Sequence, residues 1–238
     1  MTNRDYRAHT ANLIILGDSF VSRLESSLHY DYSHSPASKV MHFNEYCRDA
    51  LKCPGEINRV YSYGSPGSGC TTFLWNTFLI PQDLFIDKRP KYAVIEIGGN
   101  DVDSQAPVHA IVSARIQLAQ SIVDTYDLYS ISLSTILPRD NPTFLSSASF
   151  REKADKVNLM TLNTKCPLYF HKHVSFWRDS SGVPADTSSW STDGVHPNTS
   201  EGIRKYTKSI TKCTHNLVKC YRNNQKKKKK KILNEDIL

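Results

Sequence analysis

The sequence predicts an α/β fold: a three-layer α/β/α sandwich built on a five-stranded parallel sheet. Three observations lead there. Leu13-Ile14-Ile15-Leu16 is an unbroken aliphatic run of the kind that forms a strand buried on both faces, as at the centre of a parallel sheet. Strand-like and helix-like segments then alternate along the chain, which is the signature of successive β-α units. The length of 238 residues, with 39% apolar and 10% aromatic residues, is enough for one sizeable domain with a full core.

Taken in order, the first strand stops at Gly17, and Asp18-Ser19 stands where the chain turns out of the sheet. Phe20 to Tyr30 follows with helical spacing of Val21, Leu24 and Leu28. Asp31 to Ser38 is polar and interrupted by proline, a loop; Val40 to Lys52 is read as a helix. Ile57 to Tyr63 alternates as a second strand and runs into the glycine-dense turn Gly64-Ser65-Pro66-Gly67-Ser68-Gly69-Cys70, with a helix over Thr71 to Phe78. Tyr92 to Ile97 is a third strand, ending in Gly98-Gly99-Asn100-Asp101. Pro107 to Tyr126 places Val108, Ile111, Val112, Ala119 and Ile122 on one helical face. Leu128 to Leu137 is a fourth strand closed by Pro138, Ser149 to Thr164 a helix, and Pro167 to Phe170 a short fifth strand. A long polar loop leads to Thr192-Asp193-Gly194-Val195-His196-Pro197-Asn198. The last helix begins near Thr199 or Ser200, with Ile203, Tyr206, Ile210, Cys213, Leu217 and Cys220 inward and Arg204, Lys205, Lys208, Lys212 and Lys219 outward. Residues 10–221 form one domain. Residues 222–238, with six lysines from Lys226 to Lys231, are expected to be a disordered basic tail.

Charge separates the same two parts. Residues 201–231 carry twelve lysines and arginines against Glu201, a local charge of +11; the chain totals +7, so the remainder stands at −4. The lysine run suits a solvated tail, a nuclear-targeting signal or a contact with a polyanion such as nucleic acid. No run approaches eighteen apolar residues, so no membrane span is expected. The start shows no apolar core long enough for a signal peptide, so a cytoplasmic or nuclear location is expected.

Six cysteines at irregular spacings read as free, mostly buried thiols; Cys47, Cys53 and His42 fit no common zinc spacing. His171 and His173 flank Lys172 and are read as surface residues. The glycine turn lacks the Lys-[Ser/Thr] ending of a phosphate-binding loop, so a nucleotide site is not expected.

Ligand crevices in parallel sheets lie beyond the carboxyl ends of the strands. Ser19, the 64–70 turn, Asn100 and the Asp193–His196 segment converge on that edge. Together they supply each part of an acyl-transfer site. A serine hydroxyl is a weak nucleophile that needs a base, and His196 can serve. Asp193, three residues earlier, can fix its tautomer. The Ser19 N–H, a glycine N–H and the Asn100 amide can receive an oxyanion. Each segment alone also has a plainer reading, as a helix cap or a loop; Asp18 is read as a turn residue rather than a second acid.

Gly17-Asp18-Ser19, the glycine turn, Gly98-x-Asn100-Asp101 and Asp193-x-x-His196-Pro197 together resemble the blocks of the SGNH (GDSL-type) hydrolase family, over residues 13–210. The resemblance implies a flavodoxin-like sheet and a serine esterase or acylhydrolase working through an acyl-serine intermediate, without metal or cofactor. It implies Ser19 as nucleophile, His196 as base, Asp193 as its orienter, and Ser19, Gly67 and Asn100 as oxyanion hole. Counting back from Thr71-Thr72 gives Gly69 in place of Gly67. Phe20 stands where leucine commonly follows the serine, and Gly99 where threonine is usual. Family members act on acetylated sugars, lipids, thioesters and simple esters, so the implied substrate is a small-molecule, glycan or lipid ester, with short-chain or acetyl esters foremost. Similar domains also occur in RNA-associated proteins of some retroelements, which implies as the alternative a nucleic-acid-associated or interaction module, weakly or not catalytic.

Overall fold

In the computed structural model, which describes residues 11–70, 85–104, 106–164, 168–177 and 187–235, β1 (Ala11–Gly17) lies inside a five-stranded sheet. It pairs in parallel with β2 (Ile57–Gly64) on one side and β3 (Pro90–Glu96) on the other. β4 (Ser130–Ser134) and β5 (Tyr169–His171) continue the sheet, giving the order β2-β1-β3-β4-β5. All four pairings are parallel. The strand order reverses between β1 and β3, and such a switch point opens a crevice beyond the strand ends.

Side chains alternate across a strand, and the two faces of β1 bury different helices. Leu13 and Ile15 pack on one face against α1 (Ser19–Ser33), α2 (Phe43–Ala50) and the final helix, α7 (Glu201–Glu235). Ile14 and Leu16 pack on the other against α4 (Val108–Thr125), through Ala114, Leu118, Ala119 and Ile122. A third cluster joins α3 (Gly99–Asp103) and α4 to α5 (Ser147–Asn163) through Val102, Ile111, Phe150 and Val157, with Trp177 of the short α6 (Val174–Trp177) packed against it. The three layers are those the sequence predicts. The expected helix over Thr71 to Phe78 lies outside the described residues, as does Cys166.

Several boundaries move for identifiable reasons. The segment from Val40 to Lys52 is helical only over α2, preceded by a 3-10 turn at Pro36–Lys39. β4 ends at Ser134 because Asn158 of α5 takes over the backbone: Ile136 N–H donates to its Oδ1 at 2.7 Å and its Nδ2 donates to the Ile136 carbonyl at 3.1 Å. α7 begins at Glu201, and Asn198 Oδ1 caps it by accepting from Gly202 N–H at 2.8 Å.

Two expectations are corrected. His171 and His173 are not surface residues: each is buried, because α7 covers β5 and the turn after it. Ser209 Oγ of α7 sits between His171 Nε2 at 2.9 Å and His173 Nδ1 at 2.8 Å, and His173 Nε2 meets Glu96 Oε2 at 2.7 Å. The lysine run is likewise not a break in structure, since α7 continues through it to Glu235. Lysine is a good helix former, and no glycine or proline intervenes after Gly202. Like-charge neighbours weaken an isolated helix by only about 0.2–0.5 kcal/mol per pair.

Cys47, Cys53, Cys70, Cys213 and Cys220 are free thiols. Burial pushes Cys47 and Cys53 up to about 12. Among the described residues no three side chains gather as metal ligands, and no helix is long and apolar enough to cross a membrane.

Candidate active site

β1 ends and α1 begins within two residues, which places Ser19 at the carboxyl edge of the sheet. Asp18 makes this turn. Its Oδ1 caps α1 by accepting from Phe20 N–H at 3.0 Å, and its N–H donates to the Glu96 carbonyl at 3.3 Å on the neighbouring strand. Asp18 is buried, and that burial lifts its carboxyl from 3.8 to about 6, against the pull of Phe20 N–H and Arg139. Beside it, Phe20, Glu96, Gly99 and Thr135 help line a cavity of about 20 Å³, large enough for one water.

His196 arrives from the loop before α7. Its Nε2 stands 2.7 Å from Ser19 Oγ, and its Nδ1 stands 2.8 Å from Asp193 Oδ2. The second Asp193 oxygen accepts from Val195 N–H at 2.9 Å, His196 N–H at 3.0 Å and Ser191 Oγ at 2.5 Å. Burial alone would raise the Asp193 carboxyl. The donors from Ser191, His196 and Val195 outweigh it and hold the group well below the usual carboxylate range. The turn is pinned from outside, because the Gly194 carbonyl accepts from Asp140 N–H at 2.7 Å and Asn141 N–H at 3.0 Å. Gly194 has φ +63°, and a Cβ there would stand 2.6 Å from that of Asn141. Only glycine fits this place.

Phe20 packs its ring 5.6 Å from that of His196 and 6.3 Å from Trp190. The aromatic ring where leucine is common therefore forms a wall beneath the imidazole. His196 is held below its ordinary value, first by burial, then by the cations Arg23 and Arg139, against the opposite pull of Asp193. It is the neutral form that can accept a proton.

Asn100, the second residue of α3, reaches the same edge from β3. Its Nδ2 donates to the Ser68 carbonyl at 2.9 Å, and its Oδ1 accepts from Arg139 Nη2 at 2.9 Å. An amide nitrogen carries two protons, so one remains for a ligand. Gly67 is exposed, with φ +78° and open space beyond its Cα. Gly69 is buried, and a Cβ there would fall 2.4 Å from Asp101 Oδ1. The Asp101 carboxylate ties down the turn by accepting from Cys70 N–H at 2.8 Å.

Ser19, Asp193, His196 and Asn100 thus come together, with the glycine turn beside them. Sequence reasoning missed Arg139, Asp103 and Arg23. Arg139 is buried and its guanidinium lies over the Phe150 ring at 5.4 Å. Its Nη1 meets Asp103 Oδ2 at 3.5 Å; Asp103 itself accepts from Thr143, Phe144 and Leu145 N–H at 2.7–3.3 Å. Gly99 makes room for this, since a Cβ there would stand 2.8 Å from Arg139 Nη2. Arg23, one turn after Ser19, donates to Asp193 Oδ2 at 3.1 Å. The available signal for Arg139 was its position, directly after Pro138 at the end of the fourth strand.

The five-stranded parallel sheet, with a serine at the end of its first strand, has the fold of solved structures named as GDSL-like lipases and acylhydrolases. Solved structures bear this out. A GDSL-like lipase from Bacteroides thetaiotaomicron aligns with a TM-score of 0.59 at 13% identity, over 91% of this chain and 92% of that one. A catalytic mutant of an acetylxylan esterase from Geobacillus stearothermophilus gives 0.53 at 14% identity, over 85% and 93%. A lipase/acylhydrolase from Enterococcus faecalis gives 0.50 at 16% identity, over 84% and 94%. No protein-family model matches the sequence, and no curated protein gives a significant match.

Proposed function

We propose that this chain is a serine hydrolase of carboxylic esters, with short-chain or acetyl esters as its substrates. The observation that carries the reading is the hydrogen-bonded line Ser19 Oγ–His196 Nε2–Asp193, at 2.7 and 2.8 Å, with Asn100 at the adjacent strand end. Structural relatives named as lipases, acylhydrolases and an acetylxylan esterase support it at the level of ester chemistry.

In this mechanism His196 Nε2 takes the Ser19 proton as Oγ attacks the ester carbonyl. Asp193 holds the imidazole in the tautomer that presents a bare Nε2 and stabilises the imidazolium. The Ser19 N–H, the free Asn100 Nδ2 proton and a backbone N–H of the 64–70 turn receive the oxyanion, with Gly67 as the donor and Gly69 as its alternative. His196 returns the proton to the leaving alcohol, leaving an acyl ester on Ser19. Water, deprotonated by the same histidine, then releases the acid. No step requires a cofactor.

The test is turnover of p-nitrophenyl acetate and butyrate, with labelling by a fluorophosphonate. Ser19→Ala should lower kcat by on the order of 10³-fold or more and abolish labelling. A wild-type protein that neither turns over such esters nor takes the label would overturn the reading.

A further inference from the structure

The exposed side of α7 carries an ordered row of basic side chains that the proposed ester hydrolysis does not use. Arg204, Lys208, Lys212, His215, Lys219, Arg222 and Lys226 are all exposed and follow one another at intervals of three or four residues. At 100° per residue they fall within about 80° of arc, and at 1.5 Å per residue the row is about 33 Å long. Between Arg204 and Lys226 every residue in that arc is basic, and no carboxylate interrupts it. Arg204 is partnered by Glu201 at 3.7 Å, and Arg222 by Glu56. Lys208, Lys212 and Lys219 have no ion pair among the described residues.

A second feature borders the row. Where α7 passes α1 and the end of α2, a groove of about 440 Å³ is lined by Lys52, Arg204 and Lys208, with Asp31 as its acid, and by hydroxyls including Ser200 and Thr207. Cations and hydroxyls together are the donors that phosphodiester oxygens take.

We infer that this face of α7 is a docking ridge for double-stranded nucleic acid, read through its phosphates and without regard to sequence. The length of the row is close to one duplex turn of about 34–36 Å. The row contains no phenylalanine, tyrosine or tryptophan, and a single imidazole, that of His215, is a poor platform for a run of unpaired bases. The opposite side of α7, through Ile210, Cys213, Leu217 and Val218, is buried in the core. Among the described side chains of α7, no apolar face is left exposed to insert into a membrane. Basic character is confined to this helix, while the rest of the chain is net acidic at −4, so charge orients the molecule toward a polyanion.

The ridge is distinguished from the Lys226–Lys231 run by neutralising its middle alone. Binding of the full chain to a mixed-sequence 30-base-pair duplex is measured by fluorescence anisotropy between 0.05 and 0.3 M salt, for wild type and for Lys208→Gln/Lys212→Gln/Lys219→Gln. Melting temperature and ester turnover serve as checks on folding. Loss of three phosphate contacts should flatten the salt slope by about 2.7 and weaken binding on the order of 10²-fold at 0.1 M salt. An unchanged affinity and slope in a folded triple variant would overturn the inference and assign binding to the lysine run. Tighter binding to the separated single strand, or to vesicles of 30% phosphatidylserine than to duplex, would also overturn it.

Discussion

Arg139→Met tests whether Arg139 aims the oxyanion donor. Arg139 Nη2 donates to Asn100 Oδ1 at 2.9 Å, fixing the amide plane and leaving one Nδ2 proton free. Hydrogen bonds to charged groups contribute about 1.5–3 kcal/mol net. Losing a whole oxyanion donor costs about 2.7–4 kcal/mol, which sets a ceiling. Arg139→Met should therefore lower kcat by roughly 10- to 50-fold, about 1.4–2.3 kcal/mol, with KM changed less than twofold. The fold should survive, because Asp103 keeps three backbone N–H donors once the guanidinium is gone. Gly99→Ala perturbs the same contact without removing charge, since its Cβ would press Arg139 Nη2 at 2.8 Å. The assay is a double-mutant cycle with Asn100→Ala in p-nitrophenyl ester turnover, at the pH plateau of each variant. In the Asn100→Ala background Arg139→Met should add less than twofold. If it removes the same factor in both backgrounds, Arg139 acts through something other than Asn100 and the reasoning fails.

Three more expectations follow from the same geometry. Asn100→Ala should lower kcat by roughly 10²- to 10³-fold with little change in KM; a loss confined to KM would make it a substrate-binding residue. His196 sits below its ordinary value, and the proposed base must be neutral, so activity should rise with pH along an acid limb set below that value. Arg23 is one cause, so Arg23→Gln should move that limb to higher pH, seen in kcat/KM from pH 4 to 8. Asp18, at about 6 when folded against 3.8 ordinarily, binds its proton more tightly in the folded state, so stability falls as pH rises from about 4 to 6. Asp18→Asn keeps a capping oxygen and escapes that loss. It should stabilise the fold at pH 7.5 by up to ~3 kcal/mol and by almost nothing at pH 4, read by denaturant unfolding.

The parts legible in the sequence are those encoded locally. Gly17-Asp18-Ser19 and Asp193-x-x-His196 each carry their role in a few adjacent residues, and the aliphatic run of β1 announces a parallel sheet by itself. Arg139 was invisible because its function needs three distant partners, Asn100, Asp103 and the space above Gly99. His171 and His173 look like solvent-facing residues beside a lysine until α7 lies across them, and that is a tertiary fact. The run from Lys226 to Lys231 was misjudged because repulsion within it was weighed more heavily than helix propensity.

The 2.7 Å contact between Ser19 and His196 spans 177 residues of chain, and this separation bears on how the protein is made. At a synthesis rate of about 5–20 residues per second, Ser19 leaves the ribosome roughly 10–35 s before His196, its proposed base. Through that interval Ser19 is an ordinary hydroxyl. No fragment ending before the Asp193–His196 turn can hydrolyse an ester by this route, however well its sheet has formed. On the proposed mechanism, turnover therefore reports completion of the domain, and a truncated or half-folded chain is expected to be chemically silent.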